Sequence, residues 1–195
     1  AYAGRIIVGT DDPEISEELK EIFGLRDDSI FNLEVSSNIL QAIYPKVTVN
    51  CVCNPLTVIL NPYLGFLRPE YQSLIRMICN EVHSVAVSQG IDLVSREALF
   101  EIVLETMSKF SSHYSSMHLD HQSGKVTEID YINGAILKIA DEKGVDVPLT
   151  RLLVQTIKEI ELKRRDCESS EEFYRAHALY LEGIKKQLLE FTKPT

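Results

Sequence analysis

The stretch Lys46-Val-Thr-Val-Asn50-Cys-Val-Cys-Asn54-Pro-Leu-Thr57 decides how this chain is read. Its β-branched residues Val47, Thr48, Val49 and Val52 favour an extended strand, and Pro45 and Pro55 argue against an unbroken helix. A helix, if it forms, places Lys46, Asn50 and Asn54 at four-residue steps on one face, presenting an ammonium and two carboxamides together. A bundle helix ordinarily buries an apolar stripe, so amides recurring in phase within it need partners. Two readings stand at this point: an internal polar network or cap at the Pro55 break, or a ligand site.

Downstream of this stretch the periodicity is helical and strand signals almost vanish, giving five or six helices. One spans roughly Pro69 to Gln89, with Tyr71, Leu74, Ile75, Ile78, Val82 and Val85 on one stripe and Gly90 as its end. Another follows Ser95 and carries Leu99, Ile102, Val103, Met107 and Phe110. Thr127 reads as the cap of a helix with Ile129, Ile132, Ile136 and Ile139 inward and Gly144 as its stop. Pro148 opens the next, and Ser169 with Glu172 forms a capping box for a last helix carrying Phe173, His177, Leu181 and Ile184. Upstream, Gly4 to Gly9 reads as a strand. Asp12 and Pro13 start a helix to about Phe23 with Ile15, Leu19, Ile22 and Phe23 recurring at helical spacing and Gly24 as its stop, and Ile30 to Val35 alternates like a second strand. The chain is therefore expected to be mainly α, a helical bundle over residues 36–195 preceded by a β-α-β remnant over residues 1–35. That remnant has too few strands to bury both faces of a sheet, so it is expected to be the trailing edge of a larger α/β domain.

The 195 residues are 45% apolar and 25% charged, enough to bury a sizeable core. A net charge of -9 without a basic block excludes a nucleic-acid surface, which needs clustered Lys and Arg. No run of about 18 apolar residues and no signal-peptide core are apparent, so a soluble, cytoplasmic protein without membrane attachment is expected. Cys51, Cys53, Cys79 and Cys167 form no CxxC pair and are expected as reduced thiols, Cys51 and Cys53 as small buried apolar groups. His118 and His121 flank Asp120 without a third ligand nearby, so no metal site is expected and both rings are expected in solvent. The acidic run Asp11, Asp12, Glu14, Glu17 and Glu18 reads as a solvated helix face.

The opening stretch resembles the signature helix of the ketopantoate reductases: Lys46, three residues, Asn50, three residues, then Asn54-Pro-Leu-Thr. Ser115-Ser116-Met117-His118-Leu119-Asp120, followed by Gly124-Lys125-Val126-Thr127-Glu128-Ile129-Asp130-Tyr131-Ile132-Asn133-Gly134, resembles the family's second signature. With Pro148 and a helix ending near Glu161, the similarity runs from about Gly4 to Glu161. It implies a helical C-terminal domain of the 6-phosphogluconate-dehydrogenase-like type, with residues 1–35 as the end of a Rossmann-type nucleotide-binding domain.

The resemblance also implies roles. Lys46 would protonate the alkoxide formed when NADPH reduces 2-dehydropantoate, and a cation there would stabilise the developing charge. Glu128 matches the family's site carboxylate, Asn50, Asn54 and Ser116 match substrate-contacting positions, and Asp120 matches a further site position. No Gly-x-Gly-x-x-Gly follows a strand, so no cofactor-binding residue is expected in this chain. The implied partners are a small 2-keto acid and a Rossmann domain in cis, a homodimer is compatible, and the chain alone is expected to be inactive. Several features depart from the pattern: Leu64 stands where relatives carry Asn, although Gly65 is retained, Pro45 precedes Lys46, and a tail runs from about Asp166 to Thr195. They leave two alternatives, a reductase of another 2-keto acid or a relative repurposed for binding or regulation.

Overall fold

The computed structural model describes residues 5–10, 12–24, 32–66 and 71–193. The expectations placed on Gly4, Asp11, Ile30 and Pro69, and on the Phe23 side chain, lie outside the described residues. The chain forms two compact units, Ala1–Lys46 and Val47–Thr195.

In the first unit β1 (Arg5–Gly9) and β2 (Asn32–Ser36) pair in parallel, Arg5 opposite Asn32 and Gly9 opposite Ser36. A side chain at Gly9 would bring its Cβ to 2.2 Å from the Ser36 carbonyl oxygen, so the two backbones can close only around glycine. The crossover helix α1 (Pro13–Gly24) starts as read: Pro13 takes the first position, and the Asp12 carboxylate accepts the Glu14 N–H at 2.9 Å. Two strands and one helix leave apolar surface uncovered, with Ile6, Ile15 and Ile22 at 41%, 46% and 59% exposure. Asn38 caps the next helix, its side-chain oxygen accepting the Gln41 N–H.

That helix, α2 (Ile39–Leu60), runs without interruption through Pro45 and Pro55, so the strand alternative for Lys46 to Val52 is excluded. Every residue from Cys51 to Ile59 is buried. A helix enclosed on all sides has no polar face, and the amphipathic period that marks helices in sequence is lost. By length and hydropathy α2 is apolar enough to cross a bilayer, against the expectation that no segment is. Yet 61% of its most apolar window is buried within the protein, as in a core helix.

Around it pack α3 (Gln72–Ser88), α4 (Arg96–Lys109), α5 (Ser116–Gln122), α6 (Asn133–Lys143), α7 (Pro148–Arg164), α8 (Ser170–Ala176) and α9 (Ala178–Glu190). The stripe expected on α3 is buried throughout: Tyr71, Leu74, Ile75, Ile78, Val82 and Val85 all lie in the core. Ser95 and Ser169 cap α4 and α8, and Gly144 closes α6 at φ 69°. Two expected elements differ. Thr127 does not start a helix: its hydroxyl accepts the Ile129 N–H in a local turn, and α6 begins at Asn133. The last helix breaks at His177 into α8 and α9. At the start of α7, Glu81 of α3 reaches across to accept the Leu149 and Thr150 N–H groups, both at 2.8 Å, doing the work of a cap that Val147 cannot.

Proline has no N–H to give, so each one in α2 frees a carbonyl four residues earlier. The Cys51 carbonyl, released by Pro55, receives the Asn133 side-chain amide at 3.0 Å. The Val58 carbonyl, open because it lies in the last turn of α2, receives the Tyr174 hydroxyl at 2.7 Å. The Thr57 carbonyl lies 3.0 Å from the Asn61 amide and 2.9 Å from His118 Nδ1. The buried helix is thereby pinned to α5, α6 and α8.

His118 and His121, expected in solvent, are fully buried. His118 stacks on Tyr114 at 4.1 Å between ring centres, and His121 meets the edges of Phe173 and Tyr174 at 5.0 and 5.5 Å. A seven-residue helix shows too little of its period for the buried positions to be read. Cys51, Cys53 and Cys79 are buried free thiols, as expected, and Cys167 is free and half-buried. Burial pushes the Cys53 and Cys79 thiols up to about 12, which leaves them protonated and inert.

Two outcomes follow from this packing. Asn133→Ala leaves the Cys51 carbonyl buried without a donor and should cost about 1–3 kcal/mol in urea unfolding. In a Pro55→Ala background it should cost less, because the amide restored at position 55 can bond Cys51; additive effects in the double-mutant cycle would refute the pairing. Burial, with His118 and Arg164 alongside, depresses His121 to about 4, and burial depresses His118 as well. The unfolded chain takes up these protons below about pH 6.5 while the folded chain resists them. Stability should therefore be full above that pH and fall as the pH drops toward 4. The urea midpoint should be lower at pH 5 than at pH 7, and His121→Phe should flatten the difference.

Candidate functional site

Lys46, Asn50 and Asn54 step along α2 at four-residue intervals. Lys46 is exposed, Asn50 half-buried and Asn54 only 3% exposed, inside the all-buried segment. Ser116 and Asp120 lie four residues apart on α5, the first exposed and the second half-buried. Glu128 is exposed in the turn before α6. Its position is fixed by its backbone: its carbonyl accepts the Tyr131 and Ile132 N–H groups, both at 3.0 Å, while the adjacent Thr127 N–H is held by the Glu161 carboxylate at 2.6 Å. Asp130 beyond it pairs with Lys158 at 2.6 Å.

Direct bonds join the elements that carry some of these positions. The hydroxyls of Thr57 and Ser115 meet at 2.6 Å, joining the α2 turn that carries Asn54 to the residue preceding Ser116. Thr57 Oγ1 also donates within α2, toward the Cys53 and Asn54 carbonyls at 2.9 and 3.1 Å.

The polar side chains therefore divide into two sets. Thr57, Ser115, His118 and Asn133 are buried and bonded to the α2 backbone or to one another. The side chains of Lys46, Asn50, Asn54, Ser116, Asp120 and Glu128 make no hydrogen bond or ion pair among the described residues. The cap at the Pro55 break is Asn133, so Asn50 and Asn54 are not consumed by it. Reading the sequence missed this supporting set. The signal was there in Pro55, which implies a buried carbonyl that some distant donor must satisfy.

Leu64, at the position where an asparagine was expected, is buried in the core. The Leu64 and Gly65 N–H groups pair with the His113 and Ser111 carbonyls, both at 3.0 Å. A Cβ at position 65 would lie 2.7 Å from that of Ser111, which accounts for the retained glycine. The β1–α1 turn does not fit a dinucleotide: the Asp12 carboxylate already occupies the α1 N-terminus, and Glu14 adds negative charge where a pyrophosphate would need donors. Among the described residues no group of three or more His, Cys, Asp and Glu side chains converges as a metal centre would require.

Known proteins resemble this chain in sequence and in fold. A 2-dehydropantoate 2-reductase from Shigella flexneri is 38% identical over 122 residues, which is 63% of this chain and 40% of that protein. A solved structure of D-mandelate dehydrogenase with NADH and anilino(oxo)acetate superposes with a TM-score of 0.77 at 25% identity, covering 85% of this chain and 69% of the other. A PanE/ApbA family ketopantoate reductase from Ralstonia eutropha JMP134 shares the fold, with a TM-score of 0.68 at 24% identity over 84% of this chain and 53% of its own. The chain thus spans less than half the length of the Shigella relative. Residues 38–161 match the family described as ketopantoate reductase PanE/ApbA C terminal. That match takes in more than half of the 195 residues, and the chain belongs to the ketopantoate reductase family.

Proposed function

We propose that this chain is the substrate-binding and catalytic part of a nicotinamide-dependent 2-keto-acid reductase, with 2-dehydropantoate as substrate and NADPH as reductant. The observation that carries the reading is the division of polar groups: the α2 backbone is satisfied by Asn133, Tyr174 and His118, while the Asn50 and Asn54 amides stay uncommitted on the same helix. A buried or half-buried amide without a partner is costly unless something else bonds it, and a small hydroxy-keto acid supplies the missing acceptors and donors.

Lys46 holds the proton that the substrate's C2 oxygen takes up on reduction, and its charge favours that oxygen as it becomes negative. Asn50, Asn54 and Ser116 orient the acid through neutral hydrogen bonds. Glu128 accepts from a substrate hydroxyl, and Asp120 flanks the same end of α5. The nicotinamide supplies the hydride. Its phosphates do not fit the β1–α1 turn, and the reading assigns them to the portion of the relatives that this chain does not cover.

A second reading concerns the keto acid itself. Leu64 puts an apolar side chain where the resemblance leads one to expect an amide, and one structural neighbour is a D-mandelate dehydrogenase with NADH and anilino(oxo)acetate. Both favour a substrate with an apolar group beyond the carbonyl in place of a hydroxyl.

In the full-length protein, NADPH oxidation followed at 2-dehydropantoate saturation should fall about 10²–10⁴-fold in Lys46→Ala with cofactor affinity little changed. A variant near the normal rate would remove Lys46 from the chemistry. Glu128→Ala should raise the KM for the keto acid, and an unchanged KM would contradict its role. A higher kcat/KM for phenylglyoxylate than for 2-dehydropantoate would select the second reading.

A further inference from the structure

We propose that the Thr57 hydroxyl is a positioning residue: bonded to Ser115, it locks the N-terminus of α5 to the Asn54 turn of α2 and so sets the register of Ser116 and Asp120 against Asn50 and Asn54. The inference rests on the reading of those four residues as the keto-acid site.

Either hydroxyl can donate in the Thr57–Ser115 bond, and one arrangement also gives the α2 carbonyls a proton. Ser115 Oγ accepts the His118 N–H at 3.2 Å as the cap of α5, so its own proton is free to point outward. It points to Thr57 Oγ1, 2.6 Å away. Thr57 then gives its single proton to the Cys53 and Asn54 carbonyls, its two acceptors inside α2. A second tie closes the loop. His118 Nδ1 lies 2.9 Å from the Thr57 carbonyl, which can only accept, so Nδ1 carries the ring proton. Thr57 and His118 are wholly buried and Ser115 nearly so, and water cannot substitute for any of these bonds.

The placement matters because α5 is seven residues long and cannot hold itself in place. One face carries His118 and His121 into the core, the other carries Ser116 and Asp120 outward. Ser115 is covalently next to Ser116, and the Asn54 carbonyl is held by the same hydroxyl that Ser115 meets. An error in this joint moves substrate-facing groups on both helices at once, and errors of about 1 Å in such groups are felt in turnover and affinity.

The test uses the full-length protein. Thr57→Val keeps the side-chain shape and removes the hydroxyl, Thr57→Ser keeps the hydroxyl, and Ser115→Ala is the variant of choice should Thr57→Val fail to fold. The KM for the keto acid should rise about tenfold in Thr57→Val while the KM for the nucleotide stays constant, and Thr57→Ser should restore it. Hydrogen exchange at the His118 amide should quicken in Thr57→Val, with the amides of α3 and α7 unchanged. An unaltered KM for the keto acid, or a parallel fall in every kinetic constant together with thermal stability, would overturn the proposal. If the wild-type protein reduces no keto acid, the reductase reading fails by itself. Exchange then judges the joint separately, and unchanged protection at His118 overturns it.

Discussion

From Cys51 to Ile59 α2 is buried on every side, so its backbone must be satisfied by protein, and Pro55 withholds one of the N–H groups that would do this from within. The Cys51 and Val58 carbonyls are completed by Asn133 and Tyr174, two side chains from separate parts of the bundle. The His118 ring adds a third such contact at Thr57. These bonds do more than fill vacancies: each aims one outer helix at a particular turn of the central one. Apolar packing alone tolerates sliding, whereas a carbonyl with a single donor does not.

The arrangement explains how one helix can be core and still carry uncommitted polar side chains. Its backbone needs are met by side chains of the surrounding helices, which leaves the Asn50 and Asn54 amides uncommitted. The same division runs along α5, where His118 and His121 face inward and Ser116 and Asp120 outward. Glu128 owes its place to backbone bonds around it and to Glu161, and its carboxylate stays free.

Helices with a polar face could be read directly, as the stripe from Tyr71 to Val85 shows, and caps at Ser95 and Ser169 stood where their chemistry required. The central helix could not be read by period, because enclosure removes the contrast between faces that the eye or a Fourier sum detects. It became legible only through the spacing of Lys46, Asn50 and Asn54 and its likeness to a family motif. Thr127 misled because a hydroxyl two residues before a free amide makes a turn as readily as it starts a helix. His118 and His121 misled because a polar residue type says nothing of burial when aromatic rings and a backbone carbonyl lie in wait for it. The joint among Thr57, Ser115 and His118 lay out of reach, since partners about 60 positions apart leave no local trace.

The donors that complete α2 lie far along the chain: Asn133 is 82 residues beyond Cys51, and Tyr174 is 116 beyond Val58. During synthesis the central helix emerges from the ribosome long before either arrives, with two carbonyls open and its apolar surface bare. Its consolidation must therefore come late, after most of the domain has been made, and non-local closure of that kind slows folding. Until then, a helix bound for the core stays exposed to misassociation.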